Sequence, residues 1–324
     1  MPKKVLVMYG GVSPEHEVSI VTALQIMHAL KESGHIVYPL YLSKTGQWVL
    51  GNYHFLKPEF YKNLDKVISS GKTVILPPNR NFKLLRRGFF GFGAIETEFD
   101  LVFPVFHGSQ GEDGTIQGLL ELANIPYVGC GVTASALSID KYLSKKVAQN
   151  LGLLVTKDVL VTKIRWQKKR QQLLGQIKKL GKVWFIKPVT LGSSIGTSRV
   201  NSVKELDNAL EVAFFYSPRV LVEEALTNFS EVNISIIGNN PYQVSKTEQP
   251  ITSNSILSFE DKYLRSGSKT KGMASAKRLI PAPLDQKIIR QVEDQSLRFF
   301  EAIGGTGIAR IDYLVSKNKP YFNE

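Results

Sequence analysis

The chain has 324 residues, of which 43% are hydrophobic and 21% charged, a formal net charge of +13 and a single cysteine, Cys130. This length can bury a sizeable core in two or three domains, and the composition is that of an ordinary soluble globular protein. One cysteine excludes an internal disulfide or a cysteine metal cluster. No segment approaches the roughly 18 consecutive apolar residues of a membrane span, so no membrane partner is expected. Lys3-Lys4 followed by Val5 to Met8 reads as a strand rather than a signal peptide, and a cytoplasmic location follows. The charge points to anionic partners. The basic clusters (Arg86-Arg87, Lys168-Lys169-Arg170, Lys178-Lys179) are nevertheless short and scattered, and no zinc-finger or RNP signature accompanies them. A nucleic-acid partner is therefore not expected.

In chain order, Lys4 to Tyr9 reads as a buried strand running into Gly10-Gly11. Ser13-Pro14-Glu15-His16-Glu17 leads into a helix in which Ile20, Leu24, Met27 and Leu30 repeat at helical spacing, and Ile36 to Leu42 is a second strand. This β–loop–α–β opening predicts a parallel sheet with a ligand edge at the strand's carboxyl end. Glu15 lies in that loop, where a carboxylate can meet an amine or simply favour a helix N-terminus. Residues 43 to 98 predict short strands and a hairpin without evident chemistry. Asp100 to Phe106 is a strand in which Pro104 argues for an interruption or an edge. It ends in the glycine-rich loop His107 to Gly114, before a helix over Thr115 to Ala123.

The second half predicts a helix over Thr133 to Leu151 with Asp140-Lys141 inside it, and a basic amphipathic helix over Lys163 to Leu180. Val183 to Ile186 is a strand that delivers Lys187 beside a loop of small residues: Thr190, Gly192, Ser193, Ser194, Gly196, Thr197 and Ser198. Glycines admit turns that bring backbone N–H groups close to an anion, so this is a candidate phosphate site; its plain alternative is a flexible hairpin. Neither G-x-x-x-x-G-K-[ST] nor G-x-G-x-x-G occurs, so phosphate would be held by another scheme. A helix over Ser202 to Phe215 follows, with Asn201 or Ser202 as its cap, then a strand, Arg219 to Glu224, that ends in two acids. Glu231 to Ile237 pairs with Tyr242 to Lys246 across Gly238-Asn239-Asn240. Residues 248 to 277 form a long polar segment of the kind that covers functional sites. Leu284 to Ile303 is helical, Gly307 to Val315 is a strand, and Lys319 to Glu324 starts another. Arg310 and Asp312 stand two apart, on one face of a strand, and Glu324 on its neighbour would bring a second carboxylate to Asp312. Such oxygen donors suit Mg²⁺.

Together, Gly10 to Ser19, His107-Gly108 with Gly111 to Gly114, Ser138 to Lys141, Ile186-Lys187-Pro188 with Gly192 to Gly196, Asp261 to Leu264 and Arg310-Ile311-Asp312 resemble the D-alanine–D-alanine ligases of the ATP-grasp fold. The resemblance runs over essentially the whole chain. It implies an α/β fold, α+β in the C-terminal part, with a Rossmann-like substrate domain over residues 1–130 and a two-part ATP-grasp domain over 131–324. The small central part is 131–222 and the C-terminal part 223–324. It implies ATP and Mg²⁺ (or Mn²⁺) as cofactors, D-alanine as substrate and a homodimer. The first D-alanine would become an acylphosphate, which the amine of the second attacks, for peptidoglycan synthesis. Lys141, Lys187 and Lys262 would bind phosphates under the loop of Ser193 and Ser194. Glu223 or Glu224 would face adenine, and Glu231 the ribose, although the spacing between them is one residue longer than usual. Glu15 would anchor the first ammonium, with His107 near its carboxylate. Arg310 would stabilise the oxyanion, and Asp312 and Glu324 would bind the metal. Tyr263, bonded to Ser193 and Glu15, would close the lid and favours an amine acceptor over the lactate of depsipeptide ligases. Other ATP-grasp carboxylate–amine ligases and an inactive homologue are the alternatives. The family pattern continues beyond Glu324, which predicts a truncated chain with an unfinished last strand.

Overall fold

The computed structural model describes residues 1–78, 83–88, 90–251 and 278–324. These fall into two units, 1–135 and 136–251 with 278–324, each described by itself.

The first unit opens with β1 (Lys4–Gly10), α1 (His16–Glu32), β2 (Ile36–Leu42), β3 (Trp48–Leu50), α2 (Leu64–Ser70), β4 (Lys72–Ile75), β5 (Lys83–Gly88), β6 (Gly91–Glu98), β7 (Leu101–Pro104) and α3 (Thr115–Leu122). Its seven strands run in the order β6-β5-β4-β3-β2-β1-β7, with β1 parallel to both β2 and β7. β1 is buried on both faces, as a central parallel strand requires. Val5, Val7 and Tyr9 join Ile20, Leu24 and Met27 of α1, while Leu6 and Met8 join Ile116 and Leu120 of α3. β7 is an edge strand of this sheet and ends at Pro104, where the missing N–H takes no ladder bond. The parallel opening and the 83–98 hairpin are as expected from the sequence.

A helix α4 (Val132–Ile139) precedes α5 (Lys141–Asn150). The single helix expected over Thr133 to Leu151 is thus two, divided at Asp140. Asp140 leaves the helical region (φ −86°, ψ 96°), and its carboxylate accepts the Leu143 N–H as an N-cap. Its other oxygen pairs with Arg219. A residue read as a helix interior therefore starts a helix, with Lys141 in its first turn.

The second unit continues with β8 (Asp158–Thr162), α6 (Lys163–Lys178), β9 (Trp184–Pro188), β10 (Ser198–Val200), α7 (Val203–Tyr216), β11 (Arg219–Glu224), β12 (Phe229–Ile237), β13 (Gln243–Val244), β14 (Gln249–Pro250), β15 (Arg278–Leu279), α8 (Gln286–Ala302), β16 (Ile308–Ser316) and β17 (Lys319–Phe322). Ser202 caps α7, and α6 kinks at Lys169. Two antiparallel sheets result, β10-β9-β11-β8 and β13-β12-β16-β17. In the first, Ile186, Val220, Val222 and Val161 turn to a core with Leu173, Leu206 and Leu210 of the helices. In the second, Val232, Ile234, Ile311, Tyr313 and Phe322 are buried with Val292, Phe299 and Phe300 of α8. The opposite parity of each strand is left for polar side chains. β17 lies at an edge of its sheet, and there Phe322 donates its N–H to Leu154 O.

At the end of β1, Gly10 has a φ of +92°, and a Cβ there would stand 2.2 Å from the Leu42 carbonyl oxygen. That oxygen also accepts the Gly11 N–H at 2.8 Å. Gly10→Ala should therefore destabilise the fold by more than about 2 kcal/mol, measured as a lower urea midpoint at unchanged slope.

Candidate active site

The polar faces of the second unit's sheets meet at an open cavity of about 90 Å³, lined by Lys141, Lys187, Gly192, Ser194, Thr197, Glu223, Glu224, Glu231, Asn233, Asp312, Asn323 and Glu324 among others. Strand parity explains this. Ile186 enters the core, so Lys187 faces away from it; Val222 enters the core, so Glu223 does likewise. β9 and β11 pair Lys187 with Leu221, which sets Lys187 diagonally next to Glu223 on one face. Lys187 Nζ lies 2.7 Å from Glu223 Oε2 and donates to Asn323 Oδ1 at 3.1 Å. Lys141 Nζ donates to Leu191 O at 2.7 Å and lies 2.6 Å from Glu324 Oε2. Its backbone N–H reaches Val189 O at 3.0 Å, so the start of α5 is tied to the glycine–serine loop. In that loop Ser193 and Ser194 have φ of 51° and 59°, a left-handed backbone uncommon outside glycine, and Gly196 has φ 69°.

Glu223 is the electrostatic centre. Only 3% of it is exposed. Burial pushes its carboxyl up, but Lys187 and Lys145 outweigh burial and hold it down to about 2. Burial likewise works against the Lys187 ammonium. Glu223, with Glu324 and Glu231, raises it above the ordinary lysine value. Glu224 also lines the cavity, and its Oε1 accepts the Lys157 N–H at 2.8 Å. Arg310 binds Asp312 through two bonds, at 2.7 and 2.8 Å, while Asp312 exchanges backbone bonds with Asn323 and Glu324. Asp312 and Glu324 thus reach one cavity, although Glu324 is ion-paired with Lys141.

The first unit gathers its own group at the carboxyl end of β1. Glu15, 3% exposed, receives its backbone turn from Ser13, whose Oγ accepts the Glu15 N–H at 3.1 Å and donates to His107 O at 2.9 Å. Gly108 (φ +75°) packs on the Glu15 carboxylate so closely that a Cβ would stand 2.6 Å from Oε2. Thr22 Oγ1 and His107 Nε2 are 3.0 Å apart, and Glu112 lies 3.9 Å from His107 Nδ1. His16, buried, bridges Gly11 O (2.7 Å) and Tyr41 OH (3.0 Å); burial holds its imidazole below the ordinary value. Glu112 and Asp113 tie their own loop, accepting the N–H groups of Gly108, Gln110 and Thr115. Lys262 and Tyr263 lie outside the described residues.

The family model described as D-ala D-ala ligase N-terminus matches residues 4–130, and that described as D-ala D-ala ligase C-terminus matches residues 147–324. The chain belongs to the D-alanine–D-alanine ligase family. Two relatives with that name are from Geobacillus kaustophilus, 34% identical over the whole chain and 85% of the relative, and from Caldicellulosiruptor bescii, 35% identical over 99% of the chain and 85% of the relative. Among solved structures, a VanG D-Ala:D-Ser ligase from Enterococcus faecalis superposes with a TM-score of 0.81 at 29% identity, over all of this chain and 90% of that one. The D-alanine–D-alanine ligase of Coxiella burnetii gives 0.79 at 27% identity, over all of this chain and 84% of that one. The family and the fold class expected from the sequence motifs are thereby established: an N-terminal α/β domain followed by an ATP-grasp fold.

In this family member the sequence motifs did not single out Lys145, Asp158 or Asn323. Lys145 stands one helical turn after Lys141 and is 1% exposed, with its Nζ 2.6 Å from Glu223 Oε1, 3.0 Å from Asp158 Oδ2 and 2.9 Å from Thr156 Oγ1. The depressed Glu223 carboxyl has a consequence for stability. Its contribution is complete above the unfolded value of about 4.3 and is lost as pH falls toward about 2. The loss is on the order of 3 kcal/mol. Urea unfolding between pH 5 and pH 2 should show this limb, and Glu223→Gln should start from lower stability and flatten it. The raised Lys187 acts in the opposite sense, its contribution being lost only as pH rises beyond the ordinary lysine range.

Proposed function

We propose that this chain joins two D-alanine molecules into D-alanyl-D-alanine for peptidoglycan synthesis, spending ATP through an acylphosphate. As a member of its family it is an ATP-dependent ligase that forms a peptide bond. The observation that carries the reading is the cavity in which Lys141 and Lys187 stand with the glycine–serine loop and the carboxylates of Asp312 and Glu324. Lysine ammonium groups in a partly desolvated cavity attract phosphate strongly, and backbone N–H groups of a tight loop add fixed donors. Glu223, Glu224 and Glu231 are assigned to the adenine and ribose end. Residues 1–130 are assigned to the first substrate, residues 131–324 to the nucleotide.

The reaction proceeds in two balanced steps. A carboxylate oxygen of the first D-alanine attacks the γ-phosphorus, and the bond to the ADP oxygen breaks. The amine of the second D-alanine then attacks the acyl carbon, gives up a proton, and the carbon–oxygen bond to phosphate breaks. Glu15, whose position is fixed by Ser13 and Gly108, is suited to hold the first ammonium, with His107 toward its carboxylate. Lys141 and Lys187 hold the phosphates, and Ser193 and Ser194 fold over them. Arg310 is assigned to the oxyanion of the tetrahedral intermediate, a task for fixed positive charge. Lys262 and Tyr263 are assigned to the γ-phosphate and to the cover that keeps water from the acylphosphate.

The donor set fits Mg²⁺. Asp312 and Glu324 offer hard oxygen ligands; among the described residues no group of three or more histidine, cysteine or acidic side chains could hold a metal by itself. These two carboxylates would hold the ion with phosphate oxygens and water, and when bound it neutralises charge on the transferring phosphoryl group. A homodimer in the cytoplasm completes the proposal; no described helix is long and apolar enough to cross a membrane.

Phosphate release from Mg-ATP should require D-alanine and be weaker with D-lactate as acceptor. Lys187→Met should reduce it at least about 100-fold. Release that ignores D-alanine, or that survives Lys187→Met, would overturn the assignment.

A further inference from the structure

Asp158 and Glu223 are directly opposed in the register of β8 and β11. Two buried carboxylates facing each other across a sheet repel, and burial magnifies the repulsion. The Lys145 ammonium is set between them from α5: its Nζ donates to Thr156 Oγ1 and Glu223 Oε1 at 2.9 and 2.6 Å and forms an ion pair with Asp158 Oδ2 at 3.0 Å. Glu223 divides its oxygens, Oε1 to Lys145 and Oε2 to Lys187. The formal charges of Lys145, Lys187, Asp158 and Glu223 therefore cancel.

We propose that Lys145 is a positioning residue for the nucleotide: it holds Glu223 on one oxygen and balances Asp158, so that Lys187 is oriented toward the phosphates by a cluster that, Lys187 included, carries no net charge. This rests on the ligase reading above. Without the Lys145 cation the remaining three groups, Lys187 included, sum to −1, and Glu223 is free to turn both oxygens to Lys187. Both effects act through charge at Lys187 and fall hardest on the phosphates. The penalty therefore scales with ligand charge.

The test is calorimetric titration of the full chain with MgATP and with AMP, which needs no turnover. Lys145→Met should weaken MgATP by at least about tenfold and AMP by much less. Lys145→Arg should restore most of the affinity. The double variant Lys145→Met with Asp158→Asn, which restores the charge sum, should recover part of it and should also fold if the single variant does not. Equal loss for both ligands, or no recovery in the double variant, would overturn the positioning role and leave a packing role. Unchanged MgATP affinity in Lys145→Met would overturn it outright. Failure of the unaltered chain to bind MgATP would instead remove the ligase reading itself.

Discussion

The constraint on which the second unit of this protein depends is the burial of charge around Glu223. A carboxylate 3% exposed is strongly disfavoured unless it is paired. Here it is paired twice, with Lys145 behind it and Lys187 before it. Burying ions rarely adds stability over a well-packed apolar substitute. What the arrangement supplies is a lysine in one place and one protonation state, at the wall of the cavity proposed for the nucleotide.

Ordinary sheet geometry builds this without special devices. β8, β9 and β11 alternate apolar side chains into the core beneath α6 and α7 with Asp158, Lys187 and Glu223 on the reverse face. β12 and β16 do the same over α8, presenting Glu231, Asn233 and Asp312. A one-residue slip in any of these strands would exchange charge for core. Helix capping does the corresponding work for Lys141. Asp140 ends one helix and begins the next, and the new first turn carries Lys141 to the loop at Val189 and Leu191.

Much of this was legible from residues alone. The strand–loop–helix–strand opening, the hairpin, the edge position of Pro104 and most strands and helices follow from periodicity and breakers, and the separated motifs named the family. Three features were not legible, for identifiable reasons. A continuous helix was expected through Asp140 because Ser, Ile, Asp and Lys give no breaker there; Asp140 instead caps α5 through one oxygen and pairs through the other with Arg219, distant in sequence. Glu223 was read only as one of two candidates, with Glu224, for an adenine contact, since pairing with two lysines depends on strand register. Lys145 escaped because lysine is almost always solvated. Its position four residues after Lys141 put both on one helix face, but only the opposed carboxylates of two strands explain why it is buried.

The central claim, that ATP is spent to activate a carboxylate, is tested most directly by following an oxygen atom. The chain is given Mg-ATP and D-alanine carrying ¹⁸O in its carboxylate, and the released phosphate is analysed by mass. Attack of the carboxylate on the γ-phosphorus followed by loss of phosphate from the acyl carbon transfers one labelled oxygen, so the phosphate should carry one ¹⁸O for each dipeptide formed. Phosphate without label would mean that water, not D-alanine, took the phosphoryl group, and would contradict the account.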